Sequence, residues 1–161
     1  AAEAQMSLGN IYRYYKNKEN LIESFVQSDE KELLEAFDLL KVSMGFKLVL
    51  KEIFKEYIKE LGQRPIAALQ LEFASEALRN DEILNVISIS SSKCDKKLVD
   101  IFKDHEDKNN YKFSLGAKFT ALTLLRSIEG IAIDTIIKKD FTSKEAIKLS
   151  QKLIDQLITG A

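Results

Sequence analysis

The chain has 161 residues, with 24 Lys and Arg against 25 Asp and Glu and a formal net charge of -1. A near-neutral chain has no global basic field, so any nucleic-acid binding must come from a local patch. The single cysteine excludes an intrachain disulfide framework, and no apolar run is long enough to span a bilayer. We therefore expect a cytoplasmic protein with no membrane partner.

One proline and six glycines among abundant Leu, Ile, Lys, Glu and Ala indicate a mostly helical protein. Residues 18–40 carry apolar side chains at helical spacing, and Asn17 precedes them as a candidate N-cap. Phe46–Leu61 has the clearest amphipathic stripe, which we expect Gly62 to end as a C′ glycine. Residues 65–78 form a further predicted helix, with proline in its first turn.

The second half of the chain begins with an ambiguous segment. Residues 86–92 are rich in β-branched side chains, which suits a strand, but residues 83–102 keep a helical register of apolar positions, so we predict a helix. Cys94 is expected to be a small buried residue rather than a redox sensor. The following "HEDKNNYK" predicts a polar loop in which His105 is solvated rather than a metal ligand.

Two more helices complete an all-α prediction. Residues 114–138 are apolar on most of the helix circumference, which indicates a helix central to the core or shared between two interfaces. Residues 143–159 form a final amphipathic helix after the cap region "FTSKEA".

The segment "SLGNIYRYYKNKENLI", residues 7–22, carries the functional signal. On a helix starting at Ser7, one side carries Ile11 and Tyr15, while Asn10 and Arg13 lie on the other. A glycine in the first turn suits close approach to another surface, and cations outnumber carboxylates in residues 1–18. These features favour a surface that contacts a phosphate backbone, although tyrosines at helical spacing are more often core or interface residues.

Residues 4–21, "AQMSLGNIYRYYKNKENL", resemble the TetR family pattern Ala-Gly-Val-Ser-x-Gly-x-(Leu/Ile)-Tyr-x-(His/Tyr)-Phe-x-x-Lys-Glu-x-Leu. Gln5 and Tyr15 depart from it, where the family prefers glycine and phenylalanine. The resemblance implies a partial helix-turn-helix DNA-binding module with a connecting helix in residues 1–40, and a helical effector-binding and dimerisation domain in residues 41–161. We expect the upstream support helices to be missing, so that this fragment binds DNA poorly.

Carried over residue by residue, the resemblance divides the segment between bases and backbone of a double-stranded DNA operator. The residues implied to face the major groove are Ser7, Leu8, Asn10 and Arg13, and those implied to contact phosphates are Tyr12, Tyr14 and Lys18. The chemistry agrees, since Asn pairs with adenine, Arg pairs with guanine, and tyrosine and lysine hold phosphate oxygens.

The resemblance also implies that the helical domain binds a small effector in a cavity. Aromatic and small polar residues on predicted inward faces indicate an apolar or amphipathic effector. The candidate ligand-binding residues are Tyr57, Phe73, Ser91, Phe119 and Thr123. We expect no cofactor, no metal site and no enzymatic activity, because the chain lacks a nucleophile elbow and a phosphate-binding glycine loop.

The resemblance also implies a homodimer in which residues 114–138 and 143–159 pair across a two-fold axis. The candidate interface residues are Arg126, Glu129, Gly130, Ile133, Ile137, Ser150, Leu153 and Leu157. Arg126 and Glu129, at i and i+3, favour an interface salt bridge; the alternative is a polar handle for a ligand.

These features together predict a ligand-responsive transcriptional regulator, a repressor released by its effector. A helical dimeric carrier or scaffold for a lipid-like molecule, without DNA binding, is the alternative suggested by the neutral charge and by Gln5. A third hypothesis, an amphipathic membrane-surface protein, depends only on the lysine-flanked stripe of Phe46–Leu61.

Overall fold

The computed structural model describes residues 15–42, 45–108 and 110–160. Within these ranges the chain forms six helices and one pair of two-residue strands, which confirms the all-α prediction. The elements are α1 (Lys18–Val42), α2 (Phe46–Leu61), α3 (Arg64–Ala77), α4 (Asp81–Asp107), β1 (Lys112–Phe113), α5 (Gly116–Ile137), α6 (Ser143–Leu157) and β2 (Ile158–Thr159).

Side chains fix where several helices begin. The Asn17 side-chain oxygen accepts a hydrogen bond from the Asn20 amide at 2.8 Å, at the start of α1. Thr142 and Glu145 form a reciprocal capping box at the start of α6. Each arrangement satisfies backbone N–H groups that have no partner within the helix, so the predicted helix starts are confirmed.

The ambiguous segment is helical, because α4 runs without a break from Asp81 to Asp107. The side chain of Asn80 caps it by accepting from the amides of Glu82 and Ile83 at 3.0 and 3.4 Å. Ile83, Leu98 and Phe102 are buried along one side of this helix. A continuous buried face over several turns outweighs the local strand propensity of the β-branched residues.

The helices surround one large apolar core and one small cluster. The large core draws residues from α1, α2, α4, α5 and α6. The small cluster of Ile22, Phe73, Ala77 and Ile83 joins the beginning of α1 to α3 and to the first turn of α4. The expected domain boundary after residue 40 falls inside α1, so the division into two domains stays a prediction. No helix within the described ranges is long and apolar enough to cross a membrane.

The prediction for His105 is wrong. This residue lies on α4 and is only 7% exposed, where Nε2 lies 3.2 Å from the carbonyl oxygen of Leu40. Its ring packs 4.3 Å from the Phe46 ring centroid and 5.7 Å from that of Tyr111. The helix continues for one turn beyond Phe102, and helical spacing brings His105 onto the same buried face.

Gly62 ends α2 as expected, but not in a left-handed conformation, since its φ is -71°. The structure gives it a steric role instead. A Cβ at this position would lie 2.8 Å from the carbonyl oxygen of Ile58 and 3.2 Å from the hydroxyl oxygen of Thr135. Glycine therefore permits the end of α2 to approach α5 closely.

The predicted last helix is two residues too long. It ends at Leu157, and Ile158 and Thr159 become extended and pair antiparallel with Phe113 and Lys112. The pairing buries Ile158 fully and Phe113 nearly so, which ties the chain end to the segment between α4 and α5. Tertiary pairing has overridden the helical periodicity that extended to residue 159.

Candidate functional site

A cavity of about 830 Å³ lies between α1, α2, α3, α4 and α5 and is open on one side. Its apolar wall is shared by several helices and includes Val26, Leu33, Ile53, Tyr57, Phe73, Ile87 and Leu125. This volume falls within the range of cavities that hold small-molecule ligands. The cavity is therefore the candidate functional site.

The structure brings together three of the five predicted ligand-binding residues. Tyr57 on α2, Phe73 on α3 and Ser91 on α4 line the cavity. Phe119 and Thr123 do not, because both lie on the exposed side of α5, with Phe119 63% exposed. The apolar residues of α5 surround the helix, so periodicity could not identify its inner face, where Leu125 and Arg126 line the cavity instead.

Arg126 and Glu129, expected at a dimer interface, also line this cavity. One terminal nitrogen of Arg126 contacts both carboxylate oxygens of Asp95 at 2.7 Å and the Ser91 hydroxyl at 3.3 Å. The other donates to Glu129 at 3.1 Å. The ion pair thus forms within one chain. Its position in the cavity lining agrees with the alternative interpretation, in which Arg126 and Glu129 are polar groups that contact a ligand.

Asp29 contributes a carboxylate to the cavity from α1. Although the open side leaves Asp29 accessible, the surrounding protein partly removes the carboxylate from water and raises its pKa. The amide of Gln70 donates to it at 3.0 Å and opposes this shift, while Glu32 and Glu60 reinforce it by repulsion. Sequence reasoning missed these acids, because charged residues on a helix usually indicate a solvated face.

Three other titratable groups show how desolvated the interior is. Burial raises the pKa of Glu129, against the opposing effect of Arg126, and the negative charge of Asp95 adds to the rise. Burial raises the pKa of Tyr57 far above its ordinary value, with Glu129 and Asp29 as further causes. Burial also raises the pKa of Cys94 to about 11, so this thiol stays protonated and weakly nucleophilic at neutral pH.

The proposed dimer face lies on α5 and α6. Gly130 and Ile137 are exposed, and Ile133, Leu153 and Leu157 are half-buried. Ser150 is fully buried within the chain, and its hydroxyl donates to the carbonyl oxygen of Ile147 at 2.8 Å. Ser150 therefore cannot contact a partner in this arrangement, because it belongs to the inner face of α6.

Most of the predicted DNA-contacting residues lie outside the described ranges, namely Ser7, Leu8, Asn10, Tyr12, Arg13 and Tyr14. Lys18 is described, and it begins α1 with its ammonium group 2.8 Å from a carboxylate oxygen of Glu76 on α3. Its side chain remains 57% exposed. Across the described part of the chain, no three His, Cys, Asp or Glu side chains are grouped as a metal site.

No protein-family model and no curated protein matches the chain. Solved structures do match. The transcriptional regulator FadR from Bacillus subtilis, in complex with stearoyl-CoA, aligns over 100% of this chain and 86% of its own length, with a TM-score of 0.75 and 20% identity. A TetR transcription regulator from Haloarcula marismortui aligns over 99% of this chain and 85% of its own length, with a TM-score of 0.73 and 15% identity.

A third similar structure is a candidate transcriptional regulator from Saccharomonospora viridis in complex with choline. It aligns over 99% of this chain and 84% of its own length, with a TM-score of 0.72 and 13% identity. Identities this low show the fold alone. The chain therefore has the fold of TetR-type transcriptional regulators, and the family resemblance predicted from residues 4–21 is confirmed at that level.

Proposed function

We propose that the protein is a ligand-responsive DNA-binding transcriptional regulator whose helical body binds the effector and forms the dimer. The observation that carries the proposal is the position of α1. This helix follows directly after the segment that resembles a DNA-reading helix, and its side chains also form one wall of the cavity. A ligand in the cavity would therefore contact the element that leads to the DNA-binding module.

The packing of α1 suits this coupling. Near its beginning, Ile22 packs in the small cluster with α3 and α4, and Lys18 pairs with Glu76. Near its end, Phe37 and Leu40 are fully buried in the large core. An effector that fits the cavity better when α1 is displaced would shift its beginning, and the shift is limited by the effector's differential affinity for the two positions.

A regulator of this kind needs two copies, so that two reading helices meet successive major-groove sites about 34 Å apart. The exposed apolar side chains on α5 and α6 support a homodimer, because Phe119, Ile137 and Leu149 are 63%, 67% and 46% exposed. A two-fold pairing of these helices would bury them. The proposed role is a repressor that the effector releases from its operator.

The similar structures support ligand binding by this fold, because one was solved with stearoyl-CoA and another with choline. The chemistry of the cavity supports binding rather than catalysis. The single histidine is packed in the core and does not line the cavity, and Cys94, which does, carries a thiol of raised pKa. A dimeric carrier without DNA binding remains the second candidate, since the cavity would serve it equally well.

Fluorescence anisotropy tests the regulator with the complete translated protein and labelled DNA from its own promoter region. We expect binding that weakens as salt increases, because phosphate contacts release counterions. Arg13→Ala should weaken it by about 1–3 kcal/mol if this residue reads a guanine. Lys103→Ala removes an exposed cation on α4 and should leave binding unchanged. Absent or salt-insensitive binding would favour the carrier.

A further inference from the structure

The cavity lining is strongly acidic, although the chain as a whole is nearly neutral. The residues that line it include eight carboxylate side chains but only one cationic side chain, Arg126. The acids come from α1, α2, α4 and α5, so the bias belongs to the cavity and not to one helix. A cavity lined in this way has a negative potential that attracts cations and repels anions.

Some of these carboxylates are neutralised by lysines that lie outside the lining. Lys93 pairs with Glu30 at 2.9 Å, and similar pairs at 2.6 and 2.7 Å neutralise Glu52 and Glu56. For Asp29, Glu32 and Glu60, no salt bridge is found within the described ranges. We name these three residues the acidic trio. They lie on α1 and α2, line the cavity and are exposed to solvent.

Within the trio, Asp29 differs from a carboxylate on an ordinary solvated acidic face. Outside the cavity, neighbouring lysines lower the pKa of Asp38 and of Asp155. At Asp29 the pKa is raised by partial removal from water, and Glu32 and Glu60 add to the rise. The charge of Asp29 is therefore incompletely compensated by solvent, and a cation placed beside it would reduce the repulsion among the three carboxylates.

Among the described lining residues, no free positive charge is available for an anionic ligand. Arg126 already contacts both oxygens of Asp95 and one oxygen of Glu129, so this group carries a net negative charge when both acids are ionised. An anionic headgroup would have to displace a carboxylate from Arg126. It would also lie close to Asp95 and Glu129, for which Arg126 is the only salt-bridge partner within the described ranges.

The rest of the wall suits the apolar part of a ligand. Leu33 and Ile53 provide aliphatic surface, and Tyr57 and Phe73 provide aromatic rings. Asp29 and Glu129 both raise the pKa of the Tyr57 hydroxyl by repulsion, so both carboxylates lie near this side chain. Because the faces of aromatic rings attract organic cations, the Tyr57 ring and the carboxylates would both bind the same cationic group.

We propose that the ligand of this cavity is a lipophilic organic cation whose charge lies at the acidic trio beside Tyr57, with its apolar part against Leu33, Ile53 and Phe73. The inference deepens the proposed function, because it takes the cavity to be the effector site. It also gives a physical reason for α1 to move when the ligand binds. The cation would reduce repulsion between α1, which carries Asp29 and Glu32, and α2, which carries Glu60, and so draw the two helices together.

Two ions of nearly the same shape and opposite charge provide the test. Tetraphenylphosphonium and tetraphenylborate present the same four phenyl rings, so a difference in affinity reports on charge. Isothermal titration calorimetry with the wild-type chain should give an affinity for the cation at least about tenfold higher than for the anion. The double variant Glu32→Gln/Glu60→Gln should lose about tenfold in affinity for the cation.

A matched double variant controls for general electrostatics. Glu35→Gln/Glu72→Gln removes the same number of charges from exposed positions on α1 and α3 that do not line the cavity, and cation affinity should stay within about twofold. Circular dichroism confirms that each variant is folded. Asp29→Asn gives a second, single-site loss of affinity should the double variant unfold.

Three outcomes would overturn the inference: equal or stronger binding of tetraphenylborate, no loss in the Glu32→Gln/Glu60→Gln variant, or no binding of either ion. The anisotropy experiment distinguishes a failure of the cationic-ligand proposal from a failure of the proposed regulator function. Promoter binding by the complete protein without selectivity for the cation defeats only the ligand class. Selective cation binding without promoter binding defeats only the regulator and leaves a cation-binding carrier.

Discussion

The two ends of the helical body use the same helices in opposite ways. At one end, Phe46, Phe102, His105, Tyr111 and Phe113 fill the space between α1, α2, α4 and β1, with ring centroids as close as 4.3 Å. At the other end α1, α2 and α4 leave a cavity of about 830 Å³. We name these the aromatic end and the cavity end.

The change from one end to the other occurs within single helices. On α2, Phe46 and Leu50 are fully buried, whereas Tyr57 and Glu60 face the cavity. Large rings at the first positions allow close packing, while carboxylates at the later positions cannot be packed against one another without a cost in desolvation and repulsion. The comparison leads us to expect that the aromatic end is the rigid part of these helices, and it fits the proposal that their other ends respond to a ligand.

The largest expected effect is at the aromatic end. Phe46→Ala removes a fully buried ring that contacts four other rings, and should lower the free energy of unfolding by about 3–5 kcal/mol. Leu78→Ala, at a side chain that is 86% exposed, should change it by less than about 0.5 kcal/mol. Chemical denaturation measures both. If the two variants lowered the free energy of unfolding by similar amounts, the packing of the aromatic end would not be the main stabilising part of the fold.

A smaller effect is expected at His105. His105→Phe replaces the imidazole by another aromatic ring and removes the hydrogen bond to the carbonyl oxygen of Leu40, and should lower the free energy of unfolding by about 1–3 kcal/mol. Lys103→Gln, at an exposed position of the same helix, serves as the control. An unchanged denaturation midpoint in His105→Phe would show that the bond to Leu40 does not stabilise the aromatic end.

The smallest effect is a dependence on pH at the cavity end. Asp29, facing Gln70, Glu32 and Glu60, and Glu129, facing Arg126 and Asp95, have pKa values raised above the ordinary 3.8 and 4.5. Between the ordinary and raised values these two carboxyls bind more protons in the folded chain than in the unfolded chain, so their contribution to stability without a ligand falls as pH rises through that window.

A bound cation reverses the pKa shift, because it favours the ionised carboxylates. The affinity for tetraphenylphosphonium should therefore increase as pH rises from about 4 to about 7, with release of protons. Calorimetry in buffers of different ionisation enthalpy measures that release. In Asp29→Asn the increase should be smaller, and an affinity that decreases with rising pH would contradict the acidic trio as the cation site.

Much of the fold could be predicted because helical periodicity is a local property. The stripe of Phe46–Leu61 predicted the bounds of α2, and the cap region "FTSKEA" predicted the start of α6. The cavity could be predicted only in part. Tyr57 and Phe73 stood out as aromatic residues on amphipathic helices, but on α5 apolar residues surround the helix, and so Phe119 was assigned to the wrong side.

By itself the sequence determined the course of most helices, the starts of several and the resemblance to a DNA-recognition segment, because each depends on residues within a few turns of one another. Only the tertiary structure decided which face of α5 looks inward, that His105 is buried, and that Asp29 and Glu60 share one cavity. Asp29 and Glu60 lie on different helices, and their electrostatic interaction depends on distance in space, which sequence separation does not reveal.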